Sequence, residues 1–170
     1  MDEIFVNISG FPKYQVSNYG NVKSFKRYKE GRILKPSINS RGYYHVVLSN
    51  EDGESTLNIH RLVAKHFIPN PDNLPFVDHI DGNKLNNNVS NLRWCNPQQN
   101  QFNSKKQDGT SSKYKGVCWD KRKNKYIACI GINGKLKHIG YFDNEEEAAN
   151  AYNIKANELF GQFANLNIMD

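Results

Sequence analysis

Asp78 and His79 stand side by side after the apolar pair Phe76-Val77 and just before the turn residues Asp81-Gly82-Asn83, with Asn91 and Asn100 further along the chain. An unperturbed imidazole, with a pKa of about 6.5, takes up a proton near neutral pH, so His79 is suited to general-base work. A hard cation such as Mg²⁺ prefers oxygen ligands and takes few from protein, which leaves positions for phosphate and water. The Asp78 carboxylate and the Asn100 amide oxygen are two such ligands. An Asp-His pair taken alone more often sits in a turn for structural reasons. Asn86, Asn87 and Asn88 read as turn formers of that kind. His45, His60 and His66 have no comparable neighbours, and no chemistry is assigned to them; packing or phosphate contact is the reading for His60 and His66.

The segments around these residues predict how they are held. Phe76 to Ile80 reads as a short strand, followed by a loop through Asn86-Asn87-Asn88 and a second strand from Asn91 to Cys95. Asn96 can cap a helix with Pro97 at its first position, where the missing N–H costs nothing, and that helix carries Asn100. Upstream, Gly42–Leu48 and Ser55–Ile59 flank Asp52-Gly53, a hairpin signal. His60 to Phe67 places Leu62, Val63, His66 and Phe67 on one face of a short helix that ends before Pro69.

The polar stretch 104–112 reads as a linker. Beyond it come strands over Tyr114–Trp119, Tyr126–Ile132 and Lys135–Phe142, the last two joined by Asn133-Gly134. Asn144 then caps a helix with Glu145, Glu146 and Glu147 in its first turn, where negative charge is favourable. Ala148, Tyr152, Ala156, Leu159 and Phe160 form its inner face and Gly161 ends it.

The chain of 170 residues has a formal net charge of +6. The distribution says more than the sum. From Lys13 to Arg41 there are eight basic residues and one acid, and from Lys113 to Phe142 again eight and one. From Asp143 to the end there are six acids and one base. Two basic stripes fit a polyanionic partner, though solvated faces would look the same. The three cysteines Cys95, Cys118 and Cys129 show no CxxC pairing, so neither a disulfide framework nor a zinc site is expected. With neither a signal-peptide pattern nor a membrane-length apolar run, the expectation is a soluble, intracellular protein, in the host cytoplasm if phage- or virus-encoded.

The run Val77-Asp78-His79-Ile80-Asp81-Gly82-Asn83, then Asn91-Leu92-Arg93-Trp94 and Asn100, resembles the HNH nucleases, and within them the phage-type His-Asn-Asn homing endonucleases. The stretch from Ile8 to Ser24 resembles the NUMOD4-like module found at the N-terminus of such endonucleases, and Ile59–Ala64 matches as well. The resemblance implies that His79 is the general base, that Asp78 and Asn100 hold a divalent metal (Mg²⁺ or Mn²⁺), and that Asn91 bonds the loop backbone and holds His79 in place. It also implies phosphodiester hydrolysis leaving 5′-phosphate and 3′-hydroxyl ends.

Tyr114-Lys115-Gly116-Val117, Lys125-Tyr126-Ile127-Ala128, Ile139-Gly140-Tyr141-Phe142 and Glu146–Tyr152 resemble the AP2/ERF DNA-binding domain. That resemblance implies a three-stranded sheet laid in the major groove. Lys115, Trp119, Lys121, Arg122, Lys123, Lys125, Lys135, Lys137 and His138 become the candidates for DNA contact, most of them to backbone, with Arg122 and Trp119 nearest the bases. Cys118 and several lysines stand where the plant-type pattern has arginines and tryptophans, so base specificity does not transfer. Tyr126 and Tyr141 read as core residues.

The expectation is thus an α+β chain in three parts. Residues 1–103 hold a small antiparallel sheet and a ββα-metal finger (74–103), 104–112 link, and 113–170 form a three-stranded antiparallel sheet packed on one helix. Its function would be site-directed cleavage of double-stranded DNA. One active site per chain implies a nick from a monomer; a double-strand break needs a dimer or a second binding event. The competing reading is a sequence-specific DNA-binding regulator that uses the nuclease fold as a scaffold.

Overall fold

The computed structural model describes residues 2–104, 106 and 109–169, and the fold is mixed α+β. Two compact units divide it, Met1–Asn96 and Pro97–Asp170.

In the first unit, strands β1 (Phe5–Ile8), β2 (Phe11–Ser17), β3 (Val22–Ser24) and β4 (Arg32–Ile33) form an antiparallel sheet in sequence order. A second sheet joins β5 (Ser37–Ile38), β6 (Tyr44–Asn50) and β7 (Gly53–Asn58). The hairpin expected around Asp52-Gly53 is present, with Asn50 opposite Gly53. Ile59, expected to end that strand, opens helix α1 (Ile59–Phe67) instead, because its side chain is drawn into the core at 2% exposure. Inward positions of both sheets, Val16, Val22, Val46 and Leu48, meet Leu62, Val63 and Ala64 of α1 in one apolar cluster. Trp94, partly buried against that cluster, donates its indole N–H to Ile68 O at 3.0 Å, so burial leaves no orphaned donor.

Two short strands complete the unit. β8 (Phe76–His79) pairs antiparallel with β9 (Leu92–Cys95), placing Asp78 opposite Arg93 and His79 opposite Leu92. Asn91 was expected to open the second strand, but it closes a 3-10 turn over Val89–Asn91. The reason is local: Asn88 accepts from Ser90 N at 3.0 Å and holds the turn, while the Asn91 side chain is tied to the loop.

In the second unit, α2 (Pro97–Phe102) precedes a three-stranded antiparallel sheet of β10 (Val117–Asp120), β11 (Lys125–Ile132) and β12 (Lys135–Phe142). Helix α3 (Glu145–Phe160) packs on it. Asn133 and Gly134 both take positive φ, 52° and 72°, as the tight hairpin between Ile132 and Lys135 requires. Asn144 caps α3 by accepting from Glu146 N at 2.7 Å. Leu159, expected on the inner face, is 40% exposed. The last turn of α3 instead turns Phe160 onto Phe102 of α2, with ring centroids 3.6 Å apart. Helix α2 therefore packs with the second unit, and the boundary falls at Asn96, ahead of the stretch 104–112 read as a linker. Lys105, Gln107 and Asp108 of that stretch lie outside the described residues.

Candidate active site

Asp78 and His79 end β8, and both side chains are buried, at 6% and 5% exposure. Alternation along a strand sends adjacent side chains to opposite faces, so each meets a different environment. Asp78 faces its cross-strand partner: Arg93 Nε donates to Asp78 Oδ2 at 2.8 Å and an Arg93 terminal nitrogen lies 2.7 Å from the same oxygen. His79 faces the loop, where its Nε2 lies 3.1 Å from Asn87 Oδ1.

That contact favours one tautomer. The Asn87 amide nitrogen donates to Leu85 O, a 3.4 Å contact, so its oxygen is the atom turned to His79. An amide oxygen only accepts, and Nε2 must therefore carry the hydrogen of a neutral ring. In that tautomer Nδ1 is the nitrogen that carries the lone pair. Burial pushes the His79 imidazole below its usual value, and the Asn87 bond with the Asp81 and Asp78 carboxylates opposes that only in part. The ring is neutral at neutral pH, the state a base needs.

Asn87 was read from the sequence as a turn former, and its partnership with His79 was missed. No local signal marks it out among three consecutive asparagines. Its position depends on a distant turn. Gly20 takes φ +86°, and a Cβ there would stand 2.8 Å from Asn87 Cβ, so only glycine lets the N-terminal turn approach this closely. Val89 N donates to Asn18 O at 2.8 Å in the same region.

The loop itself is knotted by Asn91. Its Oδ1 accepts from Asp81 N at 3.0 Å, while its Nδ2 donates to Asp81 Oδ1 and to Asn86 O, both at 2.9 Å. Burial works to raise the Asp81 carboxyl, but hydrogen bonds from Asn86, Asn83 N and Asn91 outweigh it and hold the group below the usual carboxylate range. Asn91→Ala removes three bonds from a part-buried knot. The expected cost is about 1–3 kcal/mol, read in a urea melt, together with faster exchange of the Asp81 amide. An unchanged midpoint with a still-protected amide would mean that the loop is held elsewhere.

His60, to which no chemistry was assigned, lies 5.2 Å from His79 between ring centroids, edge to face. Tyr43 packs on both, 4.7 Å from His60 and 6.0 Å from His79. His66 matches its packing reading: Nδ1 donates to Leu62 O at 2.8 Å and Nε2 accepts from Ser9 N at 3.1 Å. Asn100 is exposed on α2, within the second unit. Among the described residues, no three His, Cys, Asp or Glu side chains gather to hold a metal, so any cation here must take other oxygen donors as well.

Residues 58–102 match the HNH endonuclease family and residues 3–49 match the NUMOD4 motif. Protein 3.8 of Escherichia phage T7 is 36% identical over 89 residues, which cover 52% of this chain and 73% of that protein. The chain belongs to the HNH endonucleases. An uncharacterized HNH endonuclease, L245, of Acanthamoeba polyphaga mimivirus is 43% identical over 94 residues, covering 54% of this chain and 28% of that one. A solved structure, described as DNA binding and cleavage by the HNH homing endonuclease I-HmuI, is similar with a TM-score of 0.51 and 41% identity. It covers 58% of this chain and 55% of that one; I-HmuI is a protein of Bacillus phage SP01. The chain spans half or less of the length of several curated relatives, 28% of L245 and 48% of I-HmuI. Asp78, His79, Asn91 and Asn100 all fall inside the HNH match.

The second-unit candidates divide by placement. Lys121, Arg122, Lys123, Lys135, Lys137 and His138 are exposed. Arg122 is 93% exposed at its side chain, while Lys125 pairs with Asp143 at 3.0 Å. Trp119 packs edge-on to Tyr126 at 4.8 Å. Lys115 is turned inward: its ammonium donates to Phe102 O at 2.8 Å and Ser104 O at 2.6 Å, and burial lowers it to about 8. Its charge closes the end of α2, where cations are favoured, and is not presented to a partner. Tyr126 joins the partly buried core, whereas Tyr141 lies under the Lys123 ammonium, 3.8 Å from its ring centroid.

Proposed function

We propose that this protein is a site-directed, metal-dependent DNA endonuclease that hydrolyses phosphodiesters to 5′-phosphate and 3′-hydroxyl ends, nicking one strand as a monomer in the manner of a homing endonuclease. The observation that carries this reading is the buried His79, bonded through Nε2 to Asn87 and adjacent to a buried carboxylate inside the HNH match. In the proposal, His79 Nδ1 takes the proton of the attacking water. Asn91 keeps the loop that carries Asn87 in register with His79.

The donor set fits a hard divalent cation. Asp78 offers carboxylate oxygen and Asn100 an amide oxygen, and Mg²⁺ takes the rest of its shell from water and phosphate. Such an ion would polarise the scissile phosphate and stabilise the leaving 3′ oxygen. The Arg93 guanidinium on Asp78 Oδ2 holds that carboxylate in place in the protein alone.

The second unit is proposed to grip duplex DNA as an AP2/ERF-like domain over 113–170. Support comes from the three strands on one helix and from the exposed Lys121, Arg122, Lys123, Lys135 and Lys137, set apart from the acids of α3. The similar HNH homing endonuclease I-HmuI, whose structure is described as showing DNA binding and cleavage, favours the same substrate.

The test is supercoiled plasmid carrying candidate sites, incubated with the protein and Mg²⁺, Mn²⁺ or EDTA. Conversion to open circle that EDTA abolishes is the expected result. Salt-sensitive DNA binding with no cutting of a bound target would move the reading to a regulator.

A further inference from the structure

We infer that Lys115 and Phe102 are positioning residues for Asn100: together they lock the short helix α2 onto the second unit and so set the direction in which the Asn100 amide is presented. The inference rests on the reading of Asn100 as a metal ligand. Helix α2 has six residues, whereas isolated helices shorter than about 12–15 are marginal in water. None of its side chains is fully buried, and it has no acid in its first turn and no base in its last. Its stability therefore comes from contacts outside it.

Phe102 makes the first of these. Its ring stacks on Phe160 of α3 at 3.6 Å, with planes 12° apart, and packs against the cluster that holds Ile130, Tyr152 and Ala156. Lys115 makes the second, from just ahead of β10. Its ammonium donates to Phe102 O at 2.8 Å and to Ser104 O at 2.6 Å, where the intrahelical ladder has run out and a positive charge is favoured. The lysine is itself anchored. Its N–H donates to Asn167 Oδ1 at 2.6 Å and its carbonyl accepts from Asn167 Nδ2 at 3.1 Å. Asn167 is tied in turn to Asn153 of α3 by bonds of 2.7 and 2.8 Å. Helical geometry turns these contacts into an aim. Successive residues are about 100° apart, so Asn100 stands about 200° round the helix from Phe102. With Phe102 seated inward, Asn100 faces outward, and it is exposed. The amide and the exposed lysines proposed to meet DNA thus belong to one compact unit.

Lys115→Met keeps the stem and removes the charge, Phe102→Ala removes the ring and leaves the lysine in place, and Lys115→Arg restores a cation. In metal-free protein, exchange of the Asn103 and Ser104 amides, which bond Gln99 O and Gln101 O, should quicken about tenfold in the first two variants while β11 amides stay protected. Mn²⁺ binding, read by water-proton relaxation, should reach its midpoint at about tenfold higher metal, the low end of what losing a supporting partner costs a metal site. Lys115→Arg should recover most of both. Affinity for duplex DNA should stay within about twofold, because Lys115 gives its charge to two carbonyls and not to phosphate. The inference is overturned if exchange at α2 keeps the wild-type rate in both Lys115→Met and Phe102→Ala. It is overturned equally if exchange quickens while the Mn²⁺ midpoint stays in place, although Asn100→Ala shifts it. If Asn100→Ala binds Mn²⁺ as wild type does, the ligand reading fails instead, and the exchange comparison still decides whether Lys115 and Phe102 hold α2.

Discussion

His79→Ala should lower DNA cleavage by about 10²- to 10⁴-fold, the range a positioned general base contributes, with affinity for the target retained. The wild-type pH profile should carry the same signature. A base acts in its neutral form, so kcat/KM is full above the folded-state pKa of His79 and falls as pH drops through it. Burial sets that pKa below the ordinary imidazole value, against partial opposition from Asn87, Asp81 and Asp78. The acid limb is therefore expected below about pH 6.5, and should be missing from the residual activity of the variant. Gel-based cleavage and fluorescence anisotropy across pH 5 to 8 measure both. A variant that cuts at the wild-type rate would remove His79 from the chemistry.

Arg93→Met should have the largest effect on stability. Arg93 and Asp78 form an ion pair whose side chains are only 14% and 7% exposed. Removing one member of a buried pair strands the other charge, at a typical cost of about 3–5 kcal/mol. Divalent cation should return part of it if Asp78 is a ligand, because a cation bound only to the folded state stabilises it, by about 2.7 kcal/mol at a hundredfold excess over Kd. Thermal melts of wild type and variant, each with Mg²⁺ and with EDTA, give the comparison. The variant should melt well below wild type in EDTA and gain more from Mg²⁺, and adding Asp78→Asn should cancel that gain. Equal response to Mg²⁺ in all three proteins would separate Asp78 from the metal.

Most of the elements were legible in the sequence, because the signals involved are short-range. The hairpin turns at Asp52-Gly53 and Asn133-Gly134 follow from backbone conformations that few residues adopt. The Asn144 cap follows from the orphan N–H groups of a helix start. The alternation of β8 puts Asp78 and His79 in different surroundings whatever lies around them.

Contacts between residues far apart in the chain were not legible. Asn87 reaches His79 Nε2 only because the turn at Gly20 packs against it, and three adjacent asparagines look alike until that turn is in place. His60 looks like any helix-start histidine until β6, α1 and β8 pack into one core and bring its ring, Tyr43 and His79 together. Arg93 becomes the partner of Asp78 through the β8–β9 register, which shifts every side chain to the other face if it slips by one residue. Lys115 reads as a surface charge in a basic stripe, and only the carbonyls at the end of α2, Phe102 O and Ser104 O, turn it inward. Acidity and ligand preference belong to the side chains, so the groups proposed for the chemistry could be named from residue type alone. Which neighbours bury His79 and meet its Nε2 came only from long-range packing, since chain order does not reveal them.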